Sequence, residues 1–324
     1  MNAECGMNNE LLFPRVLAIV GPTAVGKTAL AIELARLFDG EIISCDSMQV
    51  YKSMDIGTAK ATKAERALIP HHLIDIKEPE QDFSCADFAA LAKEAIRDIV
   101  ARGKLPIFCG GTGLYLDSVL EIPAFAGNTR DENYRAELER LAELHGCEYV
   151  HAMLDRVDPD SARATHANNV KRVIRALEIY HTTGKTKTEL DALSRLSSPP
   201  YRSTVFFLTY KDKDALLSRI EKRVDAMLDM GLLEECRSLY EAGLLTNGST
   251  ASEAIGYKEL VPYLEGKDTL ESCVAQLKMS TRHYAKRQLT WFKRKKNYHT
   301  ICVDEVNALD YACEVLNEQG IYKK

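Results

Sequence analysis

No run of apolar residues in the 324-residue chain approaches the ~20 needed to cross a bilayer, and Pro14 and Arg15 interrupt the first such run. Met1–Glu10 carries neither a basic n-region nor a clean apolar segment, so no secretion signal is expected. The nine cysteines are scattered, odd in number and without a C-x-x-C pair, which argues for reduced thiols rather than disulfides or zinc. Positive charge is not in excess: 42 Lys and Arg against 47 Asp and Glu leave a net charge of −5. Any attraction to nucleic acid must therefore come from a local basic patch. Internal repeats and low-complexity tracts are also missing. With 46% hydrophobic and 27% charged residues, the composition is that of a soluble, cytoplasmic globular protein without a membrane partner.

What is there begins with Gly21-Pro22-Thr23-Ala24-Val25-Gly26-Lys27-Thr28, which fits G-x-x-x-x-G-K-[ST]. The apolar run Val16–Val20 precedes it as a buried strand would, and Leu30, Leu34, Leu37 and Phe38 follow at helical spacing. In a strand–loop–helix unit of this kind the glycines let backbone N–H groups turn inward. The helix N-terminus adds partial positive charge, Lys27 reaches terminal phosphate oxygens, and the Thr28 hydroxyl can bind Mg²⁺. A diphosphate or polyphosphate site is the result. The Walker-B aspartate usual in nucleoside triphosphatases is not evident, because the next long apolar strand runs straight into glycines.

The pattern predicts an α/β fold: a P-loop NTPase-like parallel sheet core with a helical insertion domain and additional C-terminal helices. Glu41–Cys45 reads as a second strand that delivers Asp46 to the carboxyl edge of the sheet, where ligands bind. Residues 51–82 read as loop with short helices. A helix opens at the Ser84/Asp87 capping box and closes at Gly103, with Phe88, Leu91, Ala95 and Ile99 as its apolar face. Leu105–Cys109 is a third strand, ending in the glycine turn Gly110–Tyr115. Residues 124–200 are charge-rich, with helices expected at 131–145 and 168–183, and close on the linker-like Ser197-Ser198-Pro199-Pro200. The domains are thus 1–123 (core, first part), 124–200 (helical insertion) and 201–324 (core completion). Thr204–Thr209 returns as a strand, two or three amphipathic helices are expected between about 212 and 297, and Thr300–Asp304 reads as the last strand.

Several residues could carry chemistry. Asp46 at a strand end can act as general base or hold Mg²⁺, and can equally cap a turn. Thr112 in the glycine turn offers a polar handle, or the turn is simply a tight strand–helix connection. His71 and His72 are adjacent, point to different faces and make a poor metal pair. With Asp75 they read as structural. Arg219 and Arg223 lie one turn apart and could clamp a diphosphate, although a solvated face partnered by Glu221 and Asp225 is the plainer reading. On the last long helix Arg282, Lys286 and Lys293 form one stripe and His283, Arg287 and Arg294 the next, with Tyr284, Trp291 and Phe292 interleaved. Such a helix can bind RNA phosphates through its cations while its aromatics face the core.

Taken together, these stretches resemble the tRNA dimethylallyltransferase (tRNA isopentenyltransferase) family. The matches are the phosphate loop, Asp46-Ser47-Met48-Gln49-Val50-Tyr51 with Met54–Lys60, His71–Asp75, Gly110–Tyr115, Arg172–Glu178, Ala254–Glu259 and Tyr284–Phe292, in family order over roughly residues 15–304. The resemblance implies transfer of a dimethylallyl group from dimethylallyl diphosphate to N6 of an adenosine adjacent to the tRNA anticodon, releasing diphosphate. It accounts for the missing Walker B, since no phosphoryl group moves. By the same resemblance Asp46, Thr23 and Arg223 are catalytic, and Gly21 to Thr28 hold the diphosphate, with Thr28 as the Mg²⁺ ligand. Asp46, Ser47, Met48, Gln49, Thr112, Arg135, Arg172 and Arg175 contact tRNA. The basic-helix residues Arg282, Lys286 and Arg287 join them, and the insertion closes on the anticodon stem-loop. A monomer is expected.

Ala61 and Ala167 stand where the family often has Pro, and the segment Phe125–Arg130 matches least. The absence of a C-terminal zinc-finger extension favours the bacterial type. Two other functions share the phosphate loop. An adenylate isopentenyltransferase acting on free nucleotide would have no use for the insertion and the basic helix. A small-molecule kinase would need an adenine site and an arginine-bearing lid.

Overall fold

The computed structural model describes residues 13–121, 131–196 and 199–324. The readings of Met1–Glu10, Phe125–Arg130 and Ser197–Ser198 lie outside the described residues. The chain forms two compact units, Met1–Val119 with Tyr201–Lys324, and Leu120–Pro200.

The first unit is built on a six-stranded, all-parallel sheet in the order β3-β2-β4-β1-β5-β6. Its strands are β1 (Arg15–Val20), β2 (Gly40–Cys45), β3 (His71–His72), β4 (Leu105–Gly110), β5 (Arg202–Thr209) and β6 (His299–Cys302). Leu17 in β1 is opposite Ile107 on one side and Thr204 on the other. Parallel strands are covered on both faces, so they read as unbroken apolar runs; Val16–Val20 are at most 2% exposed. Alternation along each strand then sorts side chains between two layers. Leu17, Ile19, Ile42, Ile107, Phe206 and Leu208 pack with α1 (Lys27–Leu37) in one cluster. On the other face Phe108 meets Phe88 of α3 (Cys85–Ala101), and Phe207 meets Phe292.

Between β2 and β4 lie α2 (Lys63–Leu68), the edge strand β3 and α3. Both short-range signals of α3 hold: Ser84 and Asp87 form a reciprocal capping box, and Gly103 follows the helix at φ 71°. Its buried stripe is Phe88, Ala89, Ala92, Ile96 and Ile99, so Leu91 and Ala95 are only half-buried. The expected stripe was out of phase by about one residue, because small alanines take the closest approach to the sheet. His71–His72 forms β3, where a loop was expected: the backbone of His71 pairs with Ile42 and that of His72 with Ile43.

After β4, α4 (Gly113–Leu120) leads out of the first unit. The second unit contains α5 (Glu132–His145), α6 (Cys147–Val157), α7 (Pro159–Ala164), α8 (Val170–Thr183) and α9 (Lys187–Leu196), and no strand among its described residues. Leu138, Val150, Leu154, Val173, Ile174 and Leu177 form its core.

The chain re-enters the first unit at β5. More helix follows than the two or three segments expected: α10 (Lys213–Asp229), α11 (Leu232–Glu241), a 3₁₀ turn at Ala251–Glu253, α12 (Val261–Leu264) and α13 (Leu270–Phe292). The extra breaks come at Gly231 and Gly243, both at positive φ. The last strand begins at His299 and ends at Cys302, and α14 (Ala308–Glu318), not anticipated from the pattern, packs Ala312 and Leu316 onto the α1 layer.

Candidate functional site

β1 is the strand from which the chain leaves in both directions, to β2 and β4 on one side and β5 on the other. A ligand crevice is expected at its carboxyl end. There Gly21 and Gly26 turn the phosphate loop at φ 149° and 95°. Gly21 is also the only residue type that fits, because a β-carbon would lie 2.3 Å from the Leu208 carbonyl oxygen. Ala24, at φ 65°, packs with Leu216 and Ile220 of α10 and Ala285 of α13, and its carbonyl accepts from Arg219 Nε at 3.1 Å. The loop is thus held from outside by two helices far away in sequence.

A cavity of about 540 Å³ opens above it, lined wholly by the first unit. Thr23, Ala24, Gly26, Lys27 and Thr28 form its floor, and Asp46, Ser47, Met48 and Gln49 enter from the end of β2. Cys109, Gly110 and Gly111 come from the end of β4, Arg223 from α10, and Tyr284, Arg287 and Gln288 from α13. Lys27 Nζ donates to the Pro22 carbonyl at 2.7 Å. Burial brings its ammonium down to about 8, with Arg223 acting in the same direction and Asp46 opposing. Burial likewise pushes the Asp46 carboxyl above its ordinary value, against the Met48 N–H and Lys27. It also lowers the Arg223 guanidinium. A carboxylate and two cations therefore share one desolvated crevice, where their fields are weakly screened.

Asp46 caps a turn and also borders the cavity. One carboxylate oxygen accepts the Met48 N–H at 2.9 Å, an Asx-type turn, while the side chain lines the cavity. Thr112 braces this turn, its hydroxyl accepting from Ser47 N at 3.3 Å and contacting the Tyr284 hydroxyl. Gln49 Nε2 donates to the carbonyls of Thr58 and Ala59 at 3.2 and 3.3 Å, and its Oε1 accepts from Ser44 Oγ at 2.8 Å.

Arg219 and Arg223 have separate tasks. Arg219 is spent on the loop backbone and Arg223 faces the cavity. The acidic partners proposed for them are engaged elsewhere: Glu221 with Arg282 at 2.7 Å and Asp225 with Lys278 at 2.6 Å, both on α13. On α13 Phe292 is buried, Trp291 Nε1 donates to Asp117 at 3.1 Å, and Lys286 and Arg287 are exposed; the helix ends at Phe292, so the exposed Lys293 and Arg294 of the expected stripes lie in the turn beyond it. Arg287 also lies over the Tyr284 ring at 5.6 Å.

In the second unit Arg135 and Arg175 both pair with the fully buried carboxylate of Glu178 at 2.6 Å, and Arg172 is exposed. His72 Nε2 meets Glu41 at 2.8 Å, and Asp75 binds Lys60 and Arg66 at 2.6 Å each, so these residues hold the 51–82 segment in place. Among the described residues no three His, Cys, Asp or Glu side chains are grouped as metal ligands, and no helix is long and apolar enough to cross a membrane.

One site residue escaped the sequence reading. Gln288 is 5% exposed, its Oε1 accepting the Thr23 N–H at 2.9 Å and its Nε2 donating to the Gly111 carbonyl at 3.1 Å. Glycine at 111 leaves room for this bond, since a β-carbon would lie 1.9 Å from that nitrogen and displace the amide. The available signal was an amide on the apolar stripe Ala285–Gln288–Phe292, where an unpaired polar group would be costly. The surrounding cations drew the reading to the opposite face.

The family model described as IPP transferase matches residues 49–295, and one described as Isopentenyl transferase matches residues 14–75. The chain is 51% identical over 286 residues to a tRNA dimethylallyltransferase of Bacillus cereus, covering 88% of this chain and 89% of that one. Among solved structures it is similar to a full-length tRNA isopentenylpyrophosphate transferase from Bacillus halodurans (45% identity, TM-score 0.69, 94% of this chain and 95% of that one). It is also similar to a eukaryotic dimethylallyltransferase captured acting on tRNA (31% identity, TM-score 0.82, 96% of this chain and 81% of that one).

Proposed function

The chain belongs to the IPP transferase family, the family of the tRNA dimethylallyltransferases, and we propose that it transfers the dimethylallyl group of dimethylallyl diphosphate to N6 of an adenosine adjacent to the anticodon of tRNA. The observation that carries the reading is the cavity in which Asp46 faces Lys27 and Arg223 across the phosphate loop. The C1–O bond to diphosphate breaks, the C1–N6 bond forms, and the N6 proton passes to Asp46. An aromatic exocyclic amine is a poor nucleophile, so positioning and removal of its developing positive charge are the main tasks. Lys27, Arg223 and the loop N–H groups match the charge of the departing diphosphate, and Thr23 borders the reacting centre. The base must leave its stack to enter the cavity.

Mg²⁺ fits this site as a companion of the diphosphate. Thr28 offers a single hydroxyl at the cavity floor, and Mg²⁺ characteristically takes one or two protein ligands beside substrate phosphates and water. Bound there, it would supply further charge neutralisation to the leaving group. In this reading the anticodon stem-loop is held by Ser47, Met48, Gln49 and Thr112, by Arg282, Lys286 and Arg287 of α13, and by Arg135, Arg172 and Arg175 of the insertion. The enzyme acts as a cytoplasmic monomer.

Incubation with labelled dimethylallyl diphosphate, Mg²⁺ and either bulk tRNA or free AMP tests the assignment. Label in tRNA alone is expected. Label in AMP would move the protein to the free-nucleotide transferases, and label in neither would overturn the reading.

A further inference from the structure

Besides the phosphate loop, the cavity lining includes two chain segments, Gly57–Ala61 and Glu253–Gly256. Neither belongs to a strand or α-helix; the first is tied at Gly57, and the second through the adjoining Tyr257, to one side chain outside the cavity lining, Glu235 in the first turn of α11. Its carboxylate accepts three successive backbone N–H groups: Asp55 at 3.0 Å, Ile56 at 2.9 and 3.0 Å, and Gly57 at 3.1 Å. It also accepts the Tyr257 hydroxyl at 2.6 Å. Successive N–H groups turned to one point form an anion nest, here filled by a side chain of the same protein. The two segments touch closely at this point. A β-carbon at Gly57 would lie 2.5 Å from the Tyr257 ring, and one at Gly256 would lie 3.3 Å from Gly57.

The segment held by Glu235 continues directly into Thr58 and Ala59, whose carbonyls take both amide hydrogens of Gln49. Two carbonyls cannot accept from an oxygen, so the orientation of the Gln49 amide is set. With Ser44 occupying one lone pair of Oε1, Gln49 turns only an acceptor toward a ligand.

We infer that Glu235 is a positioning residue for the acceptor side of the reaction, clamping the 55–59 backbone and through it the Gln49 amide that meets the tRNA. The inference rests on the tRNA-transferase reading. Glu235→Gln keeps the shape but turns an NH₂ toward N–H donors. Charge-assisted bonds of this kind carry enough weight for kcat/KM toward tRNA to fall about tenfold. KM for dimethylallyl diphosphate, assigned to the phosphate loop rather than to this segment, stays within about twofold.

The test is a double-mutant cycle in the full chain with Glu235→Gln and Gln49→Ala, read by labelled transfer to tRNA. If Glu235 acts through Gln49, Glu235→Gln costs little further in the Gln49→Ala background. Additive losses, or equal rises in KM for both substrates, would reduce Glu235 to general support of the fold and overturn the inference. Tyr257→Phe removes one bond to Glu235, keeps the ring against Gly57, and runs the same cycle should Glu235→Gln fail to fold. Wild-type transfer to tRNA is the separate check on the underlying reading: an inactive wild type would sink that reading, whereas an active wild type with an additive cycle would sink only the clamp.

Discussion

The side-chain oxygen of Gln288 accepts the backbone N–H of Thr23 at 2.9 Å, joining the helix that carries the exposed cations to the glycine loop after β1 across 265 positions of sequence. The same amide donates to the Gly111 carbonyl, so one buried side chain sets the spacing of the loops after β1 and β4.

Replacing Gln288 by Leu should therefore strand a donor and an acceptor in a desolvated place, at about 1–3 kcal/mol each. The expected outcome is a fall in kcat of about ten- to a hundredfold with tRNA affinity nearly unchanged, because Lys286 and Arg287 of α13 remain exposed. Single-turnover transfer and filter binding separate the two. Unchanged kcat would show that the loop spacing is held by other bonds.

Asp46→Ala should remove turnover while leaving tRNA binding largely intact; lost binding with preserved chemistry would contradict its role as proton acceptor. The pH dependence follows from the direction of its displacement. Burial raises the Asp46 carboxyl above its ordinary value of 3.8, and the proposed proton acceptor would work only when ionised. Activity should thus be lost as pH falls through that raised value, placing the acidic limb of kcat/KM above the usual carboxylate range. Measuring kcat/KM for tRNA against pH checks this, and a limb at or below about pH 4 would argue for a solvated carboxylate.

Charge reversal at Lys286 and Arg287 should weaken tRNA binding and flatten its salt dependence, by about 0.7–0.9 in the log–log slope for each phosphate no longer neutralised. Arg282 is already tied to Glu221, so Arg282→Ala should change the slope less than either reversal. Titrations at several salt concentrations decide, and an unchanged slope in both reversals would remove α13 from the RNA interface.

The helical insertion has its own acid sensitivity. Burial would raise the Glu178 carboxyl, but Arg135 and Arg175 overcome it and hold it down at about 2. A carboxyl depressed in the folded state contributes its stability above the unfolded value of 4.5 and loses it as pH falls toward 2. Amide hydrogen exchange in α5 and α8 should therefore show protection falling across that window in the wild type. In Glu178→Gln protection should already be lower at neutral pH, by about 2 kcal/mol, and less dependent on acid. Equal protection in the two proteins would mean the ion pairs contribute nothing net.

Much of this architecture was legible along the chain because its signals are local. The run Val16–Val20, the glycines of the phosphate loop and the Ser84/Asp87 box each encode their structure within a few residues. Asp46 was legible for the same reason: a strand that ends in a carboxylate delivers it to the ligand edge of a parallel sheet. The phase of the α3 stripe and the existence of β3 and α14 were not, since each depends on which neighbour the segment meets.

The sequence by itself determined the strand, glycine loop and helix at Val16–Leu37, and that Asp46 would stand beside that loop at the carboxyl edge of the sheet. Tertiary structure alone decided that Arg219 is spent on the Ala24 carbonyl and that Gln288 latches Thr23. It also decided that Glu235 holds the wall beside Gln49. These relationships join residues about 180 to 265 positions apart through side-chain-to-backbone hydrogen bonds. Such bonds leave no periodicity to read; they exist only once the sheet has brought the loops together and burial has made every unpaired polar group costly.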